Sequence, residues 1–269
     1  MKMKKLIAVL CAGIFAASCF TGCSSSKEAV KITSAQDIID GGYKVAVQEG
    51  TTGDTLATET FTNSEISRFK KSIDCGVDLK NGKVDAVVID AMPAKKIVEQ
   101  IDGLTILDKD LSTEEYAIAV RKGDTELLNT INETLKNIQE NGTYDKIYNA
   151  YIAEDSTPME ERAESTATEE IVMGTNAEFE PFEYHDDSNN IVGFDIEVAQ
   201  EIANAAGKKL KIEDMNFDSL ISALQSGKVD FVIAGMTVTE ERLQNVDFSD
   251  SYFNASQVII VREESAKAE

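Results

Sequence analysis

The stretch "LKNGKVDAVVID" at residues 79–90 returns as "LQSGKVDFVIAG" at 224–235. Leu, Gly, Lys, Val and Asp recur at matching offsets: Leu79/Leu224, Gly82/Gly227, Lys83/Lys228, Val84/Val229 and Asp85/Asp230. Each copy closes a helix at a glycine and runs on into an apolar stretch of strand length. The chain therefore repeats a helix-to-strand unit, and the material on either side decides what that unit builds.

That material alternates. From about Ile32, "SAQDIIDG" reads as a capped helix turn, "YKVAVQ" as a strand and "GDTLATETF" as a helix. "SRFKKSIDCGVDLKNGK" reads as largely helical, and "VDAVVID" as a strand. "EEYAIAVRKG" (114–123) is a further strand, and the segment from Asp124 to Ile152 is a helix pair broken near Asn141-Gly142. Residues 155–170, "DSTPMEERAESTATEE", hold six acids, one arginine and one proline, the composition of a solvated linker. From Ile171 to about Arg262 strands and helices alternate again, down to "SQVIIVR" as a closing strand, and the tail "EESAKAE" is expected to fray. Such alternation predicts layered α/β halves with mainly parallel strands.

The start of the chain has three lysines, an apolar run from Leu6 to about Ala17 and then small residues, which reads as a secretory signal. Its "FTGC" ending resembles the bacterial lipoprotein cleavage box, so lipid is expected on Cys23, with residues 1–22 removed and 23–31 left as a tether. The formal charge of −22 would become −25 on loss of Lys2, Lys4 and Lys5, which makes nucleic acid and anionic lipid poor partners. Cys11 and Cys19 would leave with the signal, so Cys75 is the one thiol left beside Cys23 and is expected to be a buried small hydrophobe.

Ligands of open parallel sheets gather beyond the carboxyl ends of strands, and three such ends carry suitable groups. "AGMTVTEER" offers Thr239 as a helix cap and places Arg242 five residues after Thr237, so a hydroxyl, backbone N–H groups and a guanidinium could meet a carboxylate. "VAVQEGTTGD" offers Gly50-Thr51-Thr52-Gly53 at a helix start without the lysine of a phosphate loop, which favours a carboxylate over a nucleotide. Asp90 ends the first copy of the repeat and could pair with an ammonium, or serve as a turn or cap residue. A carboxylate site and an ammonium site together match a free α-amino acid. Phe179, Phe182, Tyr184 and Phe217 could cover its apolar faces, with Phe182 the first choice for the core.

At this point the motifs resemble a family. "GTNAEFEPFEY", "GFDIEVAQEIA", "DFVIAGMTVTEER", "VDFSDSYF", "VAVQEGTTGD", "GKVDAVVID" and "NGTYDKIY" look like the amino-acid-binding solute receptors of ABC importers, over 32–151 and 171–261. The resemblance implies an α/β, two-lobed periplasmic-binding-protein type II clamshell with the ligand gripped between lobes. It implies Arg242 on the α-carboxylate, helped by Thr237, the Gly235 backbone, Thr51 and Thr52, and Asp90 on the α-amino group. Phe179 and Phe217 would flank the ligand, and Gln48 would sense its side chain. Asn176 stands where members that bind cationic side chains often carry Asp, a departure that weakens an assignment to lysine or arginine.

The order of the segments departs further. In the usual member the "GTNAEFEPF" half comes first, whereas here residues 32–116 would be the second lobe, 117–154 the crossing strand and final helices of the first, and 171–262 the first lobe's main part. This looks like a circular permutation, with one of two hinge strands cut and the open state loosened. The expected partners are a free amino acid, polar and neutral or basic, and a membrane ABC permease. No cofactor is implied, and the protein is expected to be a lipid-anchored monomer on the outer face of the cytoplasmic membrane. A sensory receptor with a separate signalling chain is the alternative. An enzyme of the same fold is a further one, with Glu183 as a conceivable acid, but the chain has a single histidine, His185, and no nucleophile-and-base set.

Overall fold

The two copies of the repeat end in strands of different sheets in a computed structural model of the chain, which describes residues 30–153, 157, 159 and 166–267. The first stretch holds α1 (Ala35–Gly41), β1 (Val45–Gln48), α2 (Thr52–Thr60), β2 (Ile66–Phe69), α3 (Ser72–Lys80), β3 (Ala86–Asp90), α4 (Ala91–Gln100), β4 (Leu104–Ile106) and β5 (Ser112–Tyr116). Next come β6 (Ala119–Arg121), α5 (Thr125–Glu140) and α6 (Thr143–Tyr151). Beyond the acidic segment lie β7 (Glu170–Thr175), β8 (Glu178–Phe179), β9 (Glu183–His185), β10 (Ile191–Val192), α7 (Phe194–Ala205), β11 (Lys209–Asp214) and α8 (Leu220–Gln225). The chain then forms β12 (Phe231–Val232), α9 (Glu240–Leu243), β13 (Val246–Phe248), β14 (Phe253–Arg262) and α10 (Glu263–Ala266).

One large sheet has the order β2-β1-β3-β14-β4, with β5 paired along β14, and the other has β11-β7-β12-β6-β13. Both follow a single plan. Three parallel strands stand side by side, then an antiparallel strand arrives from the other half (β14 beside β3, β6 beside β12), and a last strand closes the edge. Strands β8, β9 and β10 form a small antiparallel sheet.

The repeated residues do the same work twice. Gly82 and Gly227 adopt φ of 68° and 75°, the left-handed turn that ends a helix at little cost only for glycine. Each turn is closed by two backbone bonds, Gly82 N–H to Leu79 O (3.1 Å) and Lys83 N–H to Asp78 O (3.0 Å), mirrored by Gly227 to Leu224 (3.1 Å) and Lys228 to Ala223 (3.0 Å). Leu79, Leu224, Val84 and Val229 are buried. The carboxylates of Asp85 and Asp230 then accept the N–H of Lys44 (3.1 Å) and Val172 (2.9 Å), fixing the neighbouring strand in register. The repeat is thus the device that launches the third strand of each sheet beside the first.

Several expectations need correction. Residues 67–69, the start of the stretch expected to be largely helical, belong to β2, because β1 requires a parallel partner and Ile66 and Phe69 suit a half-buried strand better than a helix start. "EEYAIAVRKG" is two strands, since the chain leaves one sheet after Tyr116 and enters the other at Ala119. The hinge is not severed: β14 runs unbroken from its pairing with β5 into its pairing with β3 and β4, so β13-to-β14 is a second covalent crossing and β14 belongs with the 32–116 half. The tail does not fray as far as Lys267. It forms α10, buries Ser265, and accepts the Ile32 N–H at 2.9 Å through Ser265 O, which ties the first described residues to the last helix. Of the acidic linker, Met159 packs against the core and Glu170 opens β7. The signal, the tether through residue 29 and Cys23 lie outside the described residues.

Candidate functional site

Between the two large sheets lies a cavity of about 10 Å³, on the scale of one water. Gln48, Thr51, Thr52 and Asp90 line it from one half. Asn176, Phe179, Phe217, Gly235, Thr237 and Arg242 line it from the other, so the structure brings together all ten residues read from the sequence as a ligand site. Ala234 and Glu183 complete the lining.

Arg242 is delivered by a short cap. The Thr239 hydroxyl accepts the Arg242 N–H (3.1 Å) and starts α9, turning the guanidinium back across the cavity. There Nη1 donates to Thr237 O (2.7 Å) and Nη2 donates across the halves to Gly50 O (3.1 Å). The Phe217 ring stacks beneath, 5.3 Å from the guanidinium carbon. Burial lowers the arginine pKa, while Glu114 and Asp90 nearby work the other way, and the group remains a cation. Gly235, at φ 52°, lets the backbone pass the Phe179 ring; a Cβ there would lie 2.6 Å from that ring.

The threonine pair behaves unequally. Thr51 spends its hydroxyl on its own loop, donating to Gln48 O (2.8 Å) and accepting the Asp54 N–H (3.2 Å) as the cap of α2, so it offers a ligand no hydroxyl proton. The Gly50 N–H is likewise taken, by Asp54 (3.2 Å). Thr52, the first residue of α2, lines the cavity, and its N–H is one of the helix-start donors without an intrahelical acceptor.

Asp90 ends β3 and does not cap α4; its carboxyl accepts the Tyr116 hydroxyl instead. Burial, then the negative charge of Glu114, pushes its pKa up to about 7. Gln48 Nε2 donates across the halves to Asn176 Oδ1 (2.7 Å) and to Lys70 O (3.1 Å), so the two amides form one surface.

Glu183 was legible in the sequence only as an acid in "EPFEY". In the structure it is fully buried at the start of β9, and neither carboxyl oxygen has a partner unless a proton is shared. Asp195 is its neighbour, accepting the Gly235 N–H (2.9 Å) and the Tyr252 hydroxyl (2.9 Å) through Oδ2 and leaving Oδ1 open. Two carboxylates can only accept. One proton held by Glu183 and donated to Asp195 Oδ1 pairs two of the three open oxygens and leaves the second Glu183 oxygen without a donor, in keeping with burial raising Glu183 well above its usual range and Asp195 to about 6. Phe182 and Tyr184 stay out of the cavity, Phe182 in the core as expected and Tyr184 half-buried on β9. Cys75 is buried, and burial pushes its thiol up to about 12.

The chain is similar in sequence to known proteins. The family model of bacterial extracellular solute-binding proteins, family 3, matches residues 15–154 and 171–268, and the chain belongs to that family, with its two-lobed type II fold. It is 48% identical over 95 residues to an arginine-binding extracellular protein of Bacillus subtilis (strain 168), covering 35% of this chain and 37% of that one. It is 42% identical over 89 residues to a probable histidine-binding protein of Neisseria gonorrhoeae, covering 33% of each. The chain thus spans about a third of the length of the curated relatives it matches. The arginine-bound form of domain 1 from TmArgBP shares 47% identity over 35% of this chain and 81% of that one, at a TM-score of 0.32.

Proposed function

We propose that the protein binds a free amino acid with a cationic side chain between its lobes and hands it to an ABC importer, as a lipid-anchored extracytoplasmic receptor. The observation that carries this is the charge layout of one cavity. Arg242 and the Thr52 N–H suit an α-carboxylate, Asp90 suits an α-ammonium, and the buried Glu183–Asp195 pair awaits a third charge. A guanidinium or ammonium there would take the place of the shared proton and satisfy oxygens that are otherwise short of donors.

Asn176 argues against a cationic side chain only if it must supply the negative charge. Its Oδ1 already accepts from Gln48, and Glu183 offers the acid in its stead. The two relatives named above agree with this class, being arginine- and histidine-binding by name. Bonds across the halves, Arg242 to Gly50 and Gln48 to Asn176, hold the cavity shut, so entry requires the lobes to part. The anchor rests on the "FTGC" sequence at Cys23, and the permutation on the lobe order: both sheets share one strand plan, yet the lobe of β1 to β5 comes first in the chain.

A thermal-shift screen against all twenty amino acids tests the reading, because a ligand of the folded state must raise the melting point. Arginine, lysine or histidine should produce the largest shifts, and Arg242→Ala should abolish them. Shifts by none of the twenty would sink it.

A further inference from the structure

Glu114 does not line the cavity, yet its carboxylate stands directly behind two residues that do. Its Oε2 accepts the Thr237 hydroxyl at 2.6 Å from one lobe and the Thr52 hydroxyl at 2.8 Å from the other. Gln257 Nε2 donates to the same oxygen at 3.3 Å, and Ser112 donates to Oε1 at 3.0 Å. Glu114 comes from β5, the strand that leads into the crossing, and residues two apart on a strand share a face. Tyr116, two residues on, holds Asp90 from that same face.

A threonine hydroxyl has one proton and two acceptor lone pairs. The Thr237 proton is committed to Glu114, so within the cavity this hydroxyl can only accept. Thr52 is in the same position, with one of its lone pairs already taken by Gln257 (3.2 Å). Thr237 therefore cannot serve as the carboxylate donor that its place beside Arg242 suggested. It is set up to receive an N–H.

From this we propose that Glu114 is a positioning residue for ligand recognition: by holding the Thr237 hydroxyl proton, it turns that oxygen into an acceptor for the ligand's α-ammonium, alongside Asp90. The inference rests on the amino-acid reading above. It divides the site by sign. Arg242 and the Thr52 N–H serve the carboxylate, while Asp90 and the two threonine hydroxyl oxygens serve the ammonium.

The test is calorimetric titration of the wild-type protein, Glu114→Gln and Glu114→Leu with two probes, arginine and 5-guanidinopentanoate, which is arginine without its α-amino group. A glutamine keeps a carbonyl oxygen for the two hydroxyls and removes the charge, whereas leucine removes the acceptor. Glu114→Leu should weaken arginine about tenfold and leave the des-amino probe nearly unchanged, the loss of one charge-assisted bond. Glu114→Gln should keep the wild-type ratio of the two probes. Glu114→Ala, measured in parallel with a melting curve for each variant, covers the case in which leucine is not accommodated.

Equal losses for both probes would overturn the proposal and mark Glu114 as a structural tie between lobes. A loss in Glu114→Gln as large as in Glu114→Leu would overturn it in favour of simple charge attraction. Tighter arginine binding in any variant would show instead that Glu114 competes with the ligand. If the wild-type protein binds neither arginine nor any other amino acid, the functional reading itself falls and this inference with it.

Discussion

Asp90 shows what one residue's surroundings do to a carboxyl at the proposed site. Between its ordinary 3.8 and about 7, the folded protein holds a proton that the unfolded chain has released. Its contribution to stability is therefore full below the unfolded value and is lost as pH rises through about 7. An α-ammonium beside it favours the ionised form, so affinity for arginine should climb between about pH 5 and about pH 8 by tenfold or more. Asp90→Asn should flatten the upper part of that rise, and a profile unchanged by the substitution would separate Asp90 from the ligand. Gly235 offers a second check: a methyl group there meets Phe179 at 2.6 Å on a left-handed backbone. Gly235→Ala should cost about 1–3 kcal/mol of stability by denaturant unfolding and weaken ligand binding. Residue types at strand ends made most of the site legible in the sequence. Glu183 was harder to read because its meaning lies in burial without partners, and Thr51 because its hydroxyl is consumed by its own helix cap.

At the scale of elements, the antiparallel strand in each sheet ends in an arginine that the repeat did not reveal. Arg262 of β14 donates to Val84 O (2.8 Å) and reaches Asp85 (3.3 Å), while Arg121 of β6 donates to Val229 O (2.8 Å) and reaches Asp230 (3.5 Å). Each arginine clamps the repeat of the sheet it enters, so the "VR" at 120–121 and at 261–262 belongs to the duplicated unit. The connection is invisible in sequence because β6 and β14 reach these sheets from far along the chain. Arg262 and Asp85 are the less exposed pair, with side chains 14% and 20% exposed against 33% and 37% for Arg121 and Asp230. Arg262→Leu should thus lower stability by about 1–3 kcal/mol, and Arg121→Leu by less, since exposed ion pairs are worth little. Equal small effects in chemical denaturation would show that the clamp carries no weight. Helix and strand alternation was legible from periodicity, but β2 was misjudged because its pairing with β1 outweighs the lysine-rich sequence that follows it.

For the whole molecule, the two lobes are tied by two covalent crossings and by contacts across the cavity. Lys70 meets Asp218 at 2.9 Å, Lys71 pairs with Glu178, and Gln100 donates to Glu180 at 3.0 Å, all near the surface. Such pairs contribute little each and are readily exchanged for water, which suits the opening and closing that the proposed function requires. Small-angle scattering should therefore show a smaller radius of gyration with arginine than without it, and identical curves would contradict a clamshell that opens for its ligand. With the β13-to-β14 crossing intact, two strands join the lobes. The single measurement closest to the central claim is calorimetric titration of arginine into the wild-type protein and Arg242→Ala. The account predicts saturable one-to-one binding that falls by about a hundredfold or more in the variant, as expected when one partner of a buried charged pair is removed. Binding of equal strength in both proteins, or none in the wild type, would contradict it.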